Sequence, residues 1–316
     1  MPALTVPSED EIFFCCQHSR SVEEQLFASV KQNRVWFLLE YAYPWGRKAF
    51  EESTLASPVK NFLSNLLDET PQSKLLFIKN RESLFSDRIS FFVGISSEAG
   101  PRLFRFQLNE HEDLLDLDIR GHLSSGHFPP ASVYSDPLYL VCTNGKRDPC
   151  CAKFGLQVYD HLVEYQHRVE DQTGTVWQST HVGGHRFAAN VVCFPHGIYF
   201  GRVTTDEARL LMDRYQSGQI LLDKYRGRAC YQPVVQAAEY FLRNHTAEPA
   251  ISAFSHTRTQ TVGPDRWNVQ FASRSQAIEY NLSIISEPSH SPIYKSCTNE
   301  DGVAVAQYRL VDIEPR

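Results

Sequence analysis

One order of predicted strands and helices occurs twice along the chain, and this repetition limits the possible folds more than any other feature. In the first half, apolar runs predict strands at 35–41, 74–79, 89–95 and 102–108, and a helix that opens at Ser57-Pro58. In the second half, the same patterns predict strands at 138–142, 176–180, 190–194 and 197–203, and helices at 149–169 and 204–215. The pattern therefore predicts two α/β units.

Residues at matching places in the two halves are about 100 positions apart. Trp36 aligns with Tyr139 at an offset of 103, and Leu103 aligns with Tyr199 at an offset of 96. Self-similarity at a fixed spacing is the signature of repeated structural units. An ancient duplication and ordinary α/β alternation both account for it, and the sequence leaves that choice open.

The last part of the chain follows a different pattern. A helix is predicted at 233–244, after a loop that contains Arg226, Gly227 and Arg228. Beyond it, short alternating segments at 267–271, 278–285 and 303–311 are separated by turn residues. Such alternation is typical of short antiparallel strands, so we expect a small antiparallel β extension.

Charge and hydropathy exclude several classes of protein. The chain has 31 Lys+Arg against 37 Asp+Glu, a net charge of -6, which argues against nucleic acid as the main partner. No window approaches 18 uninterrupted apolar residues, so we expect no membrane span. Residues 1–11 show neither the basic nor the apolar stretch of a secretion signal. We therefore expect a cytoplasmic protein.

In such a compartment the eight cysteines are expected to be reduced rather than paired in disulfides. Cys142 ends a strand and Cys150-Cys151 begin the next helix, while His181 and His185 follow in a later loop. Two thiols and two imidazoles form a four-ligand set for a soft or borderline metal. The remaining cysteines, interpreted as structural, are Cys15, Cys16, Cys193, Cys230 and Cys297.

The spacing of His181 and His185 would place them on one face of a helix, but the residues between them disfavour a helix. Gly183 and Gly184 predict instead a loop whose backbone comes close to another part of the molecule. Val182 stands where a His-Glu-x-x-His zinc protease has its glutamate, which disfavours that class of enzyme.

Three motifs closely resemble the sucrase/ferredoxin-like family. They are Cys-Thr-Asn-Gly-Lys-Arg-Asp-Pro-Cys-Cys-Ala from Cys142, His-Val-Gly-Gly-His-Arg-Phe-Ala-Ala-Asn from His181, and Tyr225-Arg226-Gly227-Arg228. The similarity extends to Leu39-Glu40 and Pro44-Trp45-Gly46, and so covers most of residues 33–245.

The resemblance implies a [2Fe–2S] cluster bound in the manner of the family's histidine-containing branch. Carried over residue by residue, the ligands are Cys142, Cys151, His181 and His185. Cys150 adjoins the matched position, and Cys151 is preferred because the family motif places its second cysteine nine residues after the first. Histidine ligands leave such a cluster less negative than four thiolates, as in Rieske centres, so its reduction is easier.

The resemblance also implies the fold class: an α/β protein with tandem thioredoxin-like domains and a small C-terminal antiparallel β extension. The expected domains are an N-terminal thioredoxin-like domain at 1–132, a thioredoxin-like ferredoxin domain at 133–245, and the extension at 246–316. We interpret the protein as an electron carrier rather than a stand-alone enzyme. Its redox partner, a reductase or an acceptor, is not identified by the sequence.

Several alternatives stay open at this point. The same four ligands could hold a structural zinc ion, or Cys142 could work with Cys150 or Cys151 as a dithiol oxidoreductase, although no Cys-x-x-Cys is present. A cluster used for sensing is a further possibility. Sugar hydrolysis needs a pair of placed carboxylates that the sequence does not show. No Gly-x-Gly-x-x-Gly follows a strand and no phosphate loop is present, so a nucleotide or flavin would belong to the partner.

Overall fold

The computed structural model describes residues 13–169, 173–299 and 301–315. Residues 1–11, on which the prediction of a cytoplasmic location rests, lie outside these ranges. No helix within them combines the length and the apolar composition needed to cross a bilayer.

The helices and strands match the predicted order closely. The helices of the described residues are α1 (Cys15–Ser21), α2 (Ser57–Glu69), α3 (Ile119–Ser125), α4 (Pro149–Arg168), α5 (Thr205–Gln216) and α6 (Pro233–Thr246). The strands of the first half are β1 (Val35–Glu40), β2 (Ser73–Lys79), β3 (Ile89–Ile95) and β4 (Arg102–Leu108). Those of the second half are β5 (Leu138–Cys142), β6 (Thr175–Ser179), β7 (Val191–Phe194), β8 (Ile198–Phe200) and β9 (Tyr225–Arg228). The last four are β10 (Phe254–Gly263), β11 (Arg266–Ser273), β12 (Glu279–Pro288) and β13 (Ala306–Pro315).

The two halves repeat one strand order within a single nine-stranded sheet, β4-β3-β1-β2-β6-β5-β7-β8-β9. In each half two parallel strands joined by a helix are followed by an antiparallel hairpin. This is the strand arrangement of the thioredoxin-like fold. The halves meet where β2 runs antiparallel to β6 and pairs Ile78 with Ser179. The predicted α/β class and the repeated order are therefore confirmed.

The sheet curls so that strands of the two halves face each other across its inner side. The Trp36 ring on β1 packs edge-on against Phe194 of β7, with ring centroids 5.1 Å apart, and lies 6.0 Å from the ring of Tyr199 on β8. All three side chains are buried. The inner face is thus an apolar core shared by both halves, and it also contains Cys142 and Cys151.

The first turn of α4 is fixed by its cap and by its contact with β5. Asp148 is the N-cap residue, and its Oδ1 accepts a hydrogen bond from the backbone N–H of Cys150 at 3.0 Å. Pro149 follows at the first helical position, where its missing N–H costs nothing. Gly155 lets the helix lie against the end of β5, because a Cβ there would stand 2.1 Å from the carbonyl oxygen of Cys142.

The C-terminal extension is a separate four-stranded antiparallel sheet in the order β10-β11-β12-β13, as predicted in outline. It packs on α6, where Val234, Ala238 and Leu242 contact Phe271 and Leu282 in one apolar cluster. The segment between β12 and β13 leaves this sheet and returns to the start of α4. The extension therefore contributes to the site described below.

The prediction that residues 226–228 form a loop is wrong, since they belong to β9 at the edge of the large sheet. Arg226 and Arg228 are 1% and 4% exposed. A buried strand is normally recognised by its apolar side chains, but this strand has two buried arginines instead, so the sequence pattern did not indicate it. Arg228 and Arg243 share the carboxylate of Glu239, at 2.8 and 3.0 Å. A buried charge of this kind requires such a partner.

Candidate metal centre

The structure brings three of the four predicted ligands together at one end of two neighbouring strands. Cys142 is the last residue of β5, Cys151 lies in the first turn of α4, and His181 follows the end of β6. Because β5 and β6 are parallel, with Cys142 opposite Ser179, their ends coincide. The candidate ligand atoms of Cys142, Cys151 and His181 all lie within 4.8 Å of one another.

His185, the fourth predicted ligand, is not part of that group of three but lies directly beside it. It opens a short 3₁₀ turn, His185–Phe187, and its ring centroid is 4.7 Å from that of His181. Its Nε2 is hydrogen-bonded to the carbonyl oxygen of Lys295, in the segment between β12 and β13. A carbonyl only accepts, so Nε2 carries the proton and the lone pair belongs to Nδ1.

Both histidines have one buried ring nitrogen that takes part in no hydrogen bond within the described residues. The Nδ1 atoms of His181 and His185 are buried and have no hydrogen-bond partner among the described residues. A buried polar atom without a partner costs free energy. Metal-bound histidines commonly donate the other N–H to a backbone carbonyl, as His185 does to Lys295. The donor set therefore fits a metal or an iron–sulfur cluster.

The two thiols differ in acidity. Hydrogen bonds from the Cys151 thiol and the His181 ring hold the pKa of Cys142 well below its usual range, in spite of burial. The same contact with Cys142, together with burial, raises the pKa of Cys151. Cys142 is thus the more acidic of the two thiols, and a metal would bind both as thiolates.

The loop that carries the histidines is held by the buried guanidinium of Arg226. Its Nη1 donates to the carbonyl oxygen of Gly183 at 3.0 Å and to Oδ1 of Asn190 at 2.8 Å. The side-chain amide of Asn190 donates to the carbonyl oxygen of Gly184 at 3.0 Å. Gly184 has φ +73°, and a Cβ there would lie 2.4 Å from Nη2 of Arg226. The predicted close approach of this loop is confirmed, and Arg226 is what it approaches.

Two charged residues within the motifs interact with groups other than the thiols of Cys142 and Cys151. Nε of Arg186 donates to the buried carboxylate of Glu24 at 2.7 Å, so Arg186 anchors the loop rather than facing the thiols. Asp148 caps α4, and its Oδ2 lies 3.7 Å from Nε2 of His185.

A cleft of about 250 Å³ opens at His181, which is partly exposed. Its wall includes Arg47 and Arg147, with Lys48 beside them. The Asn144 side chain donates to the carbonyl oxygen of Gly46 at 3.1 Å and so joins the cysteine loop to the Pro-Trp-Gly loop of the first half. This contact links the motif of the first half to the candidate site.

Three cysteines that sequence reasoning separated form a second group beside the first. Cys15 of α1, Cys150 of α4 and Cys297 of the β12–β13 segment meet around Asp148. Cys15 and Cys297, interpreted above as structural, are 282 positions apart, so no motif spacing could connect them. The one available signal was the Cys150-Cys151 pair, because consecutive helical residues point about 100° apart. All eight cysteines lie in the described ranges and carry free thiols.

Comparison with known proteins places the chain in a family. The family described as sucrase/ferredoxin-like matches residues 26–227, so the chain belongs to the sucrase/ferredoxin-like family. This match includes the thiol loop and the histidine loop.

Similar individual proteins include altered inheritance of mitochondria protein 32 of Meyerozyma guilliermondii, 38% identical over 99 residues, which are 29% of this chain and 35% of that protein. Its counterpart in Saccharomyces kudriavzevii is 28% identical over 28% of this chain and 31% of that protein. The chain thus matches about a third of the length of these relatives. A thioredoxin-like [2Fe-2S] ferredoxin from Aquifex aeolicus aligns with 31% of this chain and 97% of its own, at 13% identity and a TM-score of 0.28.

Proposed function

We propose that the protein binds a [2Fe–2S] cluster through Cys142, Cys151, His181 and His185 and serves as a one-electron carrier. The observation that carries this proposal is the group of two thiols and the His181 ring, whose ligand atoms lie within 4.8 Å of one another. Beside it is the neighbouring His185 ring, whose buried Nδ1 has no hydrogen-bond partner among the described residues. Membership of the sucrase/ferredoxin-like family supports the same conclusion.

The chain's own residues would prepare this site in three ways. The Lys295 carbonyl fixes the His185 ring so that Nδ1 is free to bind. Arg226 fixes the backbone of the histidine loop. The apolar inner face of the sheet surrounds both thiols and excludes water. A bound cluster would supply a centre that gains or loses one electron, and its two imidazole ligands would make reduction easier than four thiolates do.

A structural zinc ion is the second candidate, because the three donors within 4.8 Å of one another could also surround a single ion. The two uses of the site differ in elements and in colour. Iron and acid-labile sulfide in anaerobically purified protein support the cluster, whereas colourless protein with zinc in this site contradicts it.

The adjacent cysteines provide a matched pair of variants for this test. We expect Cys151→Ser to lose most of the iron, because its side chain lies with Cys142 and His181. We expect Cys150→Ser to keep the iron, because its side chain lies in the other group. The reverse result would show that the ligand has been assigned to the wrong cysteine.

The cleft at His181 is the proposed place of electron exchange. Its wall includes Arg47, Lys48 and Arg147 against a single acidic residue, Glu51, so an acidic partner surface is expected there. Reversing the charge with Arg47→Glu and Lys48→Glu should slow oxidation of the reduced protein by ferricyanide, an anion, and speed it by hexaammineruthenium(III), a cation. Arg209→Glu on α5 is the matched control. Equal effects of both variants would contradict the assignment.

The location in the cell stays a prediction. The sequence favours the cytoplasm, whereas the two yeast relatives are named for the inheritance of mitochondria. Fractionation of cells that express the chain with a C-terminal tag would distinguish the two locations.

A further inference from the structure

The group formed by Cys15, Cys150 and Cys297 has no part in the function proposed above. The three Sγ atoms form a nearly regular triangle, with Cys15 and Cys150 3.6 Å apart, Cys150 and Cys297 3.2 Å apart, and Cys297 and Cys15 3.5 Å apart. Cys15 and Cys150 are fully buried and Cys297 is half-buried.

The spacing of these sulfurs suits one tetrahedral ion. Around a zinc ion with Zn–S bonds of about 2.3 Å, neighbouring thiolates stand about 3.8 Å apart, slightly farther than the three sulfurs here. A disulfide would need two of them at about 2.05 Å. Cysteine sulfurs that bind different iron ions of one cluster would stand much farther apart than these three sulfurs. A single ion fits the triangle with movements of a few tenths of an ångström.

Asp148 supplies the fourth donor. Its Oδ1 lies 3.1 Å from Sγ of Cys297 and accepts the N–H of Cys150, while Oδ2 accepts the N–H of Cys297 at 2.9 Å. Asp148 is 1% exposed, and one of its carboxylate oxygens and the three sulfurs all lie within 4.8 Å of one another. The two backbone hydrogen bonds hold the carboxylate in place, as partners of metal-bound carboxylates do.

We propose that Cys15, Cys150, Cys297 and Asp148 bind one Zn²⁺ ion, at a second metal site separate from the one of the proposed function. Thiolate sulfur and carboxylate oxygen are both zinc ligands, and four such donors match the tetrahedral coordination of structural zinc. The three thiols release their protons when the ion binds. No open position is left, so the ion is structural.

Such an ion would join three distant parts of the chain: helix α1, the start of α4 and the segment between β12 and β13. That segment also provides the Lys295 carbonyl that receives the proton of His185. The zinc ion would therefore hold in place a contact of the first site. It would act like a cross-link in a chain whose thiols stay reduced.

Two measurements on the full-length protein test the proposal. The first is zinc K-edge X-ray absorption of protein purified without chelators, for which we expect about one zinc per chain with three sulfur ligands and one oxygen ligand. The second is zinc content after Cys297→Ala, which changes only a half-buried side chain in a connecting segment. We expect zinc to fall roughly tenfold. Cys230→Ala, a half-buried cysteine outside both groups, should leave it unchanged.

A further variant separates this proposal from the proposed function. In Cys142→Ser/Cys151→Ser the iron should be lost and the zinc retained. Cys297→Ala should lose its zinc but retain most of its iron, because the four proposed cluster ligands remain. The proposal is overturned if the zinc disappears with Cys142 and Cys151, if its ligands include two nitrogens, if protein with all three thiols reduced binds no added Zn²⁺, or if peptide mapping finds Cys150 in a disulfide with Cys15 or Cys297.

Discussion

Nε2 of His185 and Oδ2 of Asp148 lie 3.7 Å apart, at the boundary between the two groups of metal-binding side chains. The carboxylate caps α4 and contacts the three-cysteine group, while the imidazole, next to His181, has a buried Nδ1 without a hydrogen-bond partner among the described residues. Burial raises the pKa of Asp148, and burial lowers that of His185 to about 4, so both groups resist ionisation without a partner. Because the two side chains are only 3.7 Å apart, ionisation of either one changes the pKa of the other.

The histidine loop should tolerate a methyl group at Gly183 far better than at Gly184. Both glycines have positive φ, which costs a residue with a side chain roughly 1–2 kcal/mol. Only at Gly184 would the new Cβ collide with Arg226, since nothing lies within 4 Å of a Cβ at Gly183. We expect Gly184→Ala to lose most of its iron and Gly183→Ala to keep most of it. Equal iron content in the two variants would show that the contact with Arg226 does not position the loop.

His181→Cys should retain a cluster and lower its reduction potential. A third thiolate adds negative charge and disfavours the extra electron. Since two histidines separate Rieske centres from plant-type ferredoxins by roughly 250–700 mV, exchanging one should lower the potential by roughly 125–350 mV. Spectroelectrochemical titration measures the shift. A potential that stays the same or rises would argue against His181 as a ligand.

Glu239→Gln should destabilise the protein without affecting the metal site directly. It leaves the buried guanidinium groups of Arg228 and Arg243 without their shared carboxylate, which costs about 3–5 kcal/mol. In contrast, Asp160→Asn breaks an exposed ion pair with Arg81 and should cost less than about 1 kcal/mol. Urea denaturation compares the two, and similar losses would mean that the buried network contributes little.

His196 should make the fold sensitive to mild acid. Burial, with help from the charge of Arg228, lowers its pKa from 6.5 to about 4, and its Nδ1 is 2.7 Å from the hydroxyl of Tyr215. As the pH falls below 6.5, His196 becomes protonated in the unfolded chain but stays neutral in the folded chain. The free energy of unfolding that is present above pH 6.5 is therefore lost progressively toward pH 4.

The comparison with His196→Asn isolates this effect. The stability of the wild type relative to the variant should fall by about 2 kcal/mol between pH 7.5 and pH 5, as measured by urea denaturation at each pH. A difference that does not change with pH would show that His196 titrates normally in the folded protein.

The fold class could be predicted because its signals are local. The apolar run at Ile89–Ile95 and the Pro149 start of α4 determine their elements from adjacent residues alone. β9 could not be predicted, because Arg226 is buried by virtue of partners distant in sequence, such as Ser29 and Asn190. Helix α1 and strand β10 were likewise not predicted.

Part of the candidate site could be predicted for the same reason. Cys142, Cys151 and His181 lie within or just after elements that the sequence predicts, and the structure brings them together. The Lys295 carbonyl and Cys297 belong to the predicted extension at 246–316, and nothing local indicates that this segment returns to α4. The boundaries at 132 and 245 remain predictions, and the site draws residues from all three of the proposed domains.

Pulsed EPR of the dithionite-reduced protein, with histidine labelled with ¹⁵N, tests the cluster and its ligands most directly. We expect a [2Fe–2S] signal with strong couplings to two histidine nitrogens, and the loss of one coupling in His181→Cys. A reduced cluster without nitrogen couplings would contradict the histidine ligands. Protein with no iron and no signal after anaerobic purification would contradict the cluster itself.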